Sequence, residues 1–283
     1  MYDSTGEVLR AFGRQGEGPG EFISVSQVVV GPYDSLFVFE TTKVSVLSPD
    51  AGEYVRRFWL DQVPMGRVRF APDGTMYHVA SAKREGRGSV LHLDRDGNLL
   101  GSFGGDEFVD GNGRVLLTPI APTEDGLWIS EMFEYAFVRQ DRDDLGSQKI
   151  SLDASHFSGS PGRYLEGAPY KRPGPPLVKD ISLDEEGRLW ILSWVPDLEW
   201  QPLDADTPMD KVNGNDLWDS VVEVVDPKGG QVIATQRFDK APYWFVGPSL
   251  ISMHEEDELG VRRIEVWRAS PQVEHPIGKG KRK

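Results

Sequence analysis

One pattern is written five times along this chain: a short apolar run, a Gly/Asp turn, a second apolar run, a break, a third run ending in an acid, and a glycine turn. Its last clause is clearest at Leu93-Asp94-Arg95-Asp96-Gly97 and Val225-Asp226-Pro227-Lys228-Gly229. Gly6, Gly52 and Gly97 mark successive units at spacings of 46 and 45 residues, and a degraded copy at Asp143-Asp144-Leu145-Gly146 precedes Gly229. A period of roughly 45 residues with several strands per unit is how β-propeller blades read, so the repeat predicts an all-β propeller of four-stranded blades.

The second strand of each unit is the most regular. Leu36-Phe37-Val38-Phe39, Met76-Tyr77-His78-Val79, Leu127-Trp128-Ile129-Ser130 and Leu189-Trp190-Ile191-Leu192 each follow a turn, and Leu250 to His254 opens a fifth. β-Branched and aromatic residues dominate these runs, as a pleated surface covered on both sides requires. The Asp-Gly and Glu-Gly dipeptides before them are hairpin punctuation. With 31 glycines and 20 prolines among 283 residues, the chain has the turns that many short strands need. Residues 1–270 read as one propeller domain and 271–283 as a frayed basic tail. The wide interval between 146 and 229 reads as one blade carrying two insertions, 151–177 and 195–219.

Charge narrows the partners. The 31 basic and 45 acidic residues give a formal −14, which disfavours a nucleic-acid phosphate track or an anionic membrane face. No apolar stretch is long enough to span a bilayer, and the absence of cysteine excludes disulfides and thiolate chemistry. The chain starts in mid-unit. Tyr2 to Gly6 matches a third-strand ending and Glu7 to Phe12 a fourth strand, so the three strands expected before them are missing. No signal peptide is present at this start.

The junction Gly13-Arg14-Gln15-Gly16-Glu17-Gly18-Pro19-Gly20-Glu21-Phe22 resembles the blade junction of NHL-type repeats and of the bacterial six-bladed β-propeller proteins related to them. Asp257-Glu258-Leu259-Gly260-Val261 through Ile264-Glu265-Val266-Trp267 is similar to that group's final hairpin. The resemblance implies six blades, the first one truncated here, and an exported protein; its members mostly lack an assigned activity. Five recognisable second strands also allow a five-bladed ring closed by Glu7 to Phe12 as the outer strand of the last blade. NHL repeats favour an acid closing the second strand; Glu40 and Glu131 keep it, whereas Ala80 and Ser193 do not.

In a four-stranded meander, loops between blades and loops joining second to third strands emerge on one face. Both insertions belong to that class, so one decorated face is expected to carry the binding function. The second insertion supplies the candidate ligand-binding residues Trp194, Trp200 and Trp218 as a platform, with Asp197 and Glu199 as acceptors. Asp204-Ala205-Asp206 and Asn213-Gly214-Asn215-Asp216 offer oxygen ligands suited to calcium, but neither has EF-hand spacing, and no other cofactor is indicated. The five histidines show no metal-ligand spacing. His78, with Arg67 and Arg69 on the strand before it and with Glu40 and Glu131, forms the candidate catalytic set at a channel mouth. No GxSxG elbow, phosphate loop or dinucleotide fingerprint is present.

Three functions follow as expectations. The first is a non-catalytic, monomeric module that binds a protein, peptide or glycan on the decorated face. The second is a propeller hydrolase or lyase, and the third an assembly module without ligand.

Overall fold

The computed structural model describes the chain except at residues 1–2, 4, 50–51, 82–87, 106–117, 132–133, 143–146, 158–169, 205, 209–211, 213, 243, 257–261 and 272–283. The degraded repeat at 143–146, residues 158–169 of the first insertion and nearly all of the basic tail therefore lie outside the described residues.

Strands begin at the glycine-rich junction, where β1 (Arg14–Gln15) pairs in parallel with β2 (Glu21–Phe22). Here the glycines are structural necessities. A Cβ on Gly13 would stand 2.3 Å from the Phe22 ring, and one on Gly16 would stand 2.2 Å from the Glu21 carboxylate. That carboxylate closes the loop on itself, accepting from Arg14 Nε at 2.7 Å and from the Gly18 amide at 2.9 Å. The glycine-rich run is a self-capped turn whose acid is already satisfied.

Five blade sheets follow. The first is β3 (Gln27–Val30), β4 (Leu36–Glu40), β5 (Lys43–Leu47) and β6 (Tyr54–Trp59); the second is β7 (Pro64–Phe70), β8 (Met76–Ala80), β9 (Val90–Leu93) and β10 (Leu99–Phe103). The third is β11 (Ile120–Pro122), β12 (Gly126–Ser130), β13 (Ala136–Asp141) and β14 (Ser147–Ser151). The fourth is β15 (Leu177–Leu183), β16 (Leu189–Pro196), β17 (Trp218–Asp226) and β18 (Gln231–Phe238), and the fifth is the three-stranded β19 (Trp244–Gly247), β20 (Leu250–Glu256) and β21 (Arg262–Arg268). Strands neighbouring in sequence neighbour in each sheet, which is the meander of a propeller blade. The fold is an all-β propeller with five blades, matching the five repeats. In the segment Glu7 to Phe12 Val8 alone is bridge-paired, and Phe12 lies over Gly52, where a Cβ would meet its ring at 1.7 Å.

The repeating acid is explained by the turns. Asp94 Oδ1 accepts from the amides of Asp96 and Asn98, and Asp184 Oδ1 accepts from those of Glu186 and Arg188; Asp3 and Asp226 do the same two residues on. An aspartate that caps its own turn replaces the backbone bonds the ladder cannot supply there, so the acid recurs with the hairpin. The glycine after it, such as Gly97 at φ 84°, takes the left-handed conformation that closes the turn.

The chain divides into two compact units, residues 1–118, 122–129 and 140–146 in one and 119–121, 130–139 and 147–283 in the other. In the first, Phe37, Phe39, Val44, Met76 and Leu91 pack one core between the first two sheets. In the second, Trp190, Leu192, Val222, Phe245 and Ile251 join the fourth sheet to the fifth.

Candidate functional site

The register of the fourth sheet decides where its insertions meet. Leu177 pairs with Trp194, Pro196 with Trp218 and Ser220 with Phe238. The start of β15, the end of β16, the start of β17 and the end of β18 therefore share one end of the sheet. The first insertion enters there at 177, and the second leaves at 197 and returns at 217. They touch: Tyr170 Oη donates to the Thr207 carbonyl at 3.0 Å, and a Cβ on Gly174 would stand 2.3 Å from the Trp218 ring. The root of the first insertion is held by a buried cluster. Glu223 accepts from the Tyr135 hydroxyl and from Thr235 Oγ1, with His156 Nε2 at 3.7 Å. Burial, reinforced by Glu223, holds the Tyr135 phenol well above its ordinary pKa.

Four tryptophans converge at this end. Trp218, 7 % exposed, stacks on Trp194 with centroids 6.1 Å apart. Trp194 Nε1 donates to the Pro242 carbonyl at 2.8 Å, which fixes the ring edge-on. Trp200 packs half-buried against the same apolar cluster as Leu217, Leu203 and Val212, and its buried Nε1 finds no acceptor among the described residues. Trp244 stands across from Trp194, with Lys179 between: the Lys179 ammonium lies 4.0 Å from the Trp194 centroid and 5.1 Å from that of Trp244. Neither Lys179 nor Trp244 stands out in the sequence. Val178 pairs with Ser193 and Asp180 with Leu192, so Lys179 is the extra residue of a β-bulge. A bulge re-aims a side chain without leaving a mark in the alternation of apolar and polar residues. Burial holds the Lys179 ammonium below its ordinary pKa, only partly offset by Asp180.

The acids of this end fall into two kinds. Asp197 Oδ1 caps the turn through the Glu199 amide at 2.7 Å, and Glu199 is exposed. Asp219, 3 % exposed, accepts from Arg237 Nε at 2.6 Å through one oxygen, while the other, Oδ1, has no hydrogen-bond partner among the described residues. Arg237 also donates to the Pro196 carbonyl at 2.6 Å. One carboxylate oxygen each from Asp197, Asp219 and Asp239 lie within 4.8 Å of one another, so the acids that come together are not the Asp204 and Asp206 expected for calcium. Those two form a turn, Asp206 N to Asp204 Oδ1 at 3.3 Å, and Asn215 ties the loop down by accepting from the Ala241 amide at 2.9 Å. Arg237 already balances Asp219, which lowers the appeal of the trio to a cation.

The candidate catalytic set is placed differently. His78, 1 % exposed, has Nδ1 3.0 Å from the Val79 carbonyl and a buried Nε2 with no partner among the described residues, and burial lowers its pKa. Opposite it the first strand of the sheet breaks register between Met65 and Arg69, a stretch that contains Arg67. The break is clamped by Gln27, whose side chain donates to the Gly66 carbonyl at 3.1 Å and accepts from the Val68 amide at 2.8 Å. Glu40 is buried and paired with Lys43 at 2.6 Å. Glu131 belongs to the other compact unit and pairs with Lys149 at 2.9 Å.

A separate groove of about 580 Å³ runs along the outer part of the fourth sheet, over Trp190, Val224, Ile233 and Phe238, and reaches Ala269 and Pro271. Among the described residues no titratable side chain lines it, so they give it shape and apolar area but no acid, base or charge.

No protein-family model matches the chain, and no curated protein matches it in sequence. Solved structures do resemble it. A protein described as exported from Bacteroides fragilis aligns over 90 % of this chain and 73 % of its own at TM-score 0.54 and 11 % identity. Hydrazine synthase of Kuenenia stuttgartiensis aligns over 84 % and 59 % at TM-score 0.42 and 11 % identity, and a Bacteroides caccae protein of unknown function over 74 % and 65 % at TM-score 0.38 and 12 % identity. The Bacteroides fragilis likeness carries the fold, a β-propeller, and nothing about chemistry. No helix among the described residues is long and apolar enough to cross a membrane.

Proposed function

We propose that this chain is a non-catalytic propeller module that binds a protein, peptide or glycan at the insertion-bearing end of its fourth blade. One observation carries the reading: at that end four tryptophans, a lysine and three acids are brought together by regular strands and two insertions that brace each other. Functional side chains on loops that a rigid scaffold positions are the usual architecture of recognition. Tryptophan supplies broad contact area with little entropy to lose, and polar atoms without a partner among the described residues, such as Trp200 Nε1 and Asp219 Oδ1, supply selectivity. The candidate catalytic residues support turnover less well, since His78 and Glu40 are buried, each in a different blade sheet.

Kinship with NHL-type six-bladed propellers and export from the cell belong to the same proposal. The glycine junction at 13–22 and the likeness to an exported protein support them.

The test is a screen of the whole chain against glycan and peptide arrays, repeated with Trp200→Ala, Asp197→Asn and, as a control in the apolar groove, Ile233→Gln. Ligands lost in the first two variants and kept in the third are expected. If every ligand found survives both insertion substitutions, the binding end has been misplaced.

A further inference from the structure

The reading above leaves the ligand class open, and Lys179 narrows it. Its ammonium is wedged between two indoles, and among the described residues no carboxylate lies within ion-pair distance and no hydrogen-bond acceptor engages its three N–H groups. Arg142 over Tyr77 holds Asp73 and Arg56 over Phe58 holds Asp96, whereas Arg57, over Tyr54 and Trp59, shares with Lys179 the lack of such a partner among the described residues. A half-buried ammonium with unused donors is an incomplete ion pair, and a ligand anion completes it.

The surroundings say which anion. Asp197, Glu199 and Asp239 stand at the same end, beside Asp219 with its unpartnered oxygen. A polyacidic peptide would set repeated charges against these carboxylates. A sugar acid brings one charge per ring, separated by hydroxyls that donate to carboxylates and by C–H faces that lie on indoles. One cation, flanking aromatic rings and a rim of acceptors fit that alternation.

We propose, resting on the binding reading above, that Lys179 is the acid-recognising residue of this end and that the ligand is a uronate-containing glycan. The ammonium takes a sugar carboxylate, Trp244 and Trp194 flank it, and Asp197 and Asp239 accept from neighbouring hydroxyls.

The experiment titrates the whole chain, by tryptophan emission and calorimetry, with short oligomers of galacturonate, mannuronate, guluronate and glucuronate, with their methyl esters, and with hexaglutamate. At least one uronate oligomer is expected to bind, and esterification to weaken it by about tenfold or more. Lys179→Met should reduce acid binding to the level of the ester, and Lys179→Arg, which keeps the charge, should retain most of it. Equal binding of acid and ester, binding of hexaglutamate without any uronate, or failure of every uronate oligomer overturns the inference. Neutral glycans or peptides that bind through Trp200 and ignore Lys179→Met would also overturn it while leaving the binding end standing. Ligands indifferent to both Trp200→Ala and Lys179→Met would remove the binding end as well.

Discussion

Arg142 of the first compact unit and Lys179 of the second do the same thing with opposite consequences. Each lays a cation against an aromatic ring, Arg142 at 5.8 Å from the Tyr77 centroid and Lys179 at 4.0 Å from that of Trp194. Each guanidinium nitrogen then has a partner: Nε donates to Tyr77 Oη at 2.8 Å, one terminal nitrogen to Asp73 and the other to Thr75 Oγ1 at 3.4 Å. Tyr77 in turn stacks on His92 at 4.4 Å. The network is closed, and a closed network fixes a hairpin. Among the described residues the ammonium of Lys179 has two rings and the nearby charge of Asp180 but no hydrogen-bond or ion-pair partner, and an open network waits for something. The difference lies in satisfaction rather than in residue type.

The largest effect should separate support from recognition within the fourth blade. Trp218→Ala removes a buried ring that fills the space over Gly174 and backs Trp194, so it is expected to cost about 3–5 kcal/mol in denaturant unfolding. Ile233→Gln, at the lip of the apolar groove where the side chain is 42 % exposed, should stay within about 0.5 kcal/mol. Equal costs for the two would mean that the tryptophan end is no better packed than the surface.

Next comes the closed network itself. Arg142→Ala strands the Tyr77 hydroxyl and leaves the Asp73 carboxylate only its Thr75 donors; because Asp73 also keeps partial access to water, about 1–2 kcal/mol of stability should go. Lys179→Met, which strands nothing, should change stability by about 1 kcal/mol or less. A Lys179 cost as large as that of Arg142 would make the lysine another structural clip.

How much of this was legible in the sequence depends on periodicity. The second strands, their turns and the acids that cap them repeat, and a repeating physical requirement leaves a repeating residue, as Asp94 and Asp184 do. The two insertions break the period and so announce themselves; Trp194, Trp200, Trp218 and Asp197 were therefore within reach of reading. Lys179 was not. It follows Val178 in an ordinary alternation and is turned toward the tryptophans by a bulge that exists only once β15 and β16 have paired. Asp219 and Asp239, 20 residues apart in the chain, meet because two strand ends align. The Glu21 loop was legible as a turn, but not that its own acid fills it.

Acid titration sharpens the contrast. At Asp73, burial would raise the pKa, but the Arg142 bond and the Thr75 donors outweigh it and leave the carboxyl at about 2, against an ordinary value of 3.8. A depressed folded-state pKa means that the ionised form is favoured by folding. The stabilisation is complete above about pH 3.8 and is lost as pH falls toward about 2. Melts of the parent and of Asp73→Asn across that window should converge at its acid end. Parallel curves would show that Asp73 contributes no pH-dependent stability.

The smallest effect has the opposite sign and belongs to Lys179. Its folded-state pKa is lowered by burial from 10.5, so the unfolded chain holds the proton more tightly and folding gains as pH rises toward that value. In Lys179→Met this contribution is absent. The variant should match or slightly exceed the parent in stability at neutral pH, and any excess should shrink between neutrality and about pH 10.5. A bound uronate oligomer should abolish the slope in the parent, because a carboxylate beside the ammonium favours the charged form that burial opposes. Asp73 should show no comparable response to ligand, since its partner is already in place. An unliganded parent with a flat alkaline profile would mean that the ammonium is fully hydrated, and the distinction between the closed network and the open one would rest on geometry that solution does not honour.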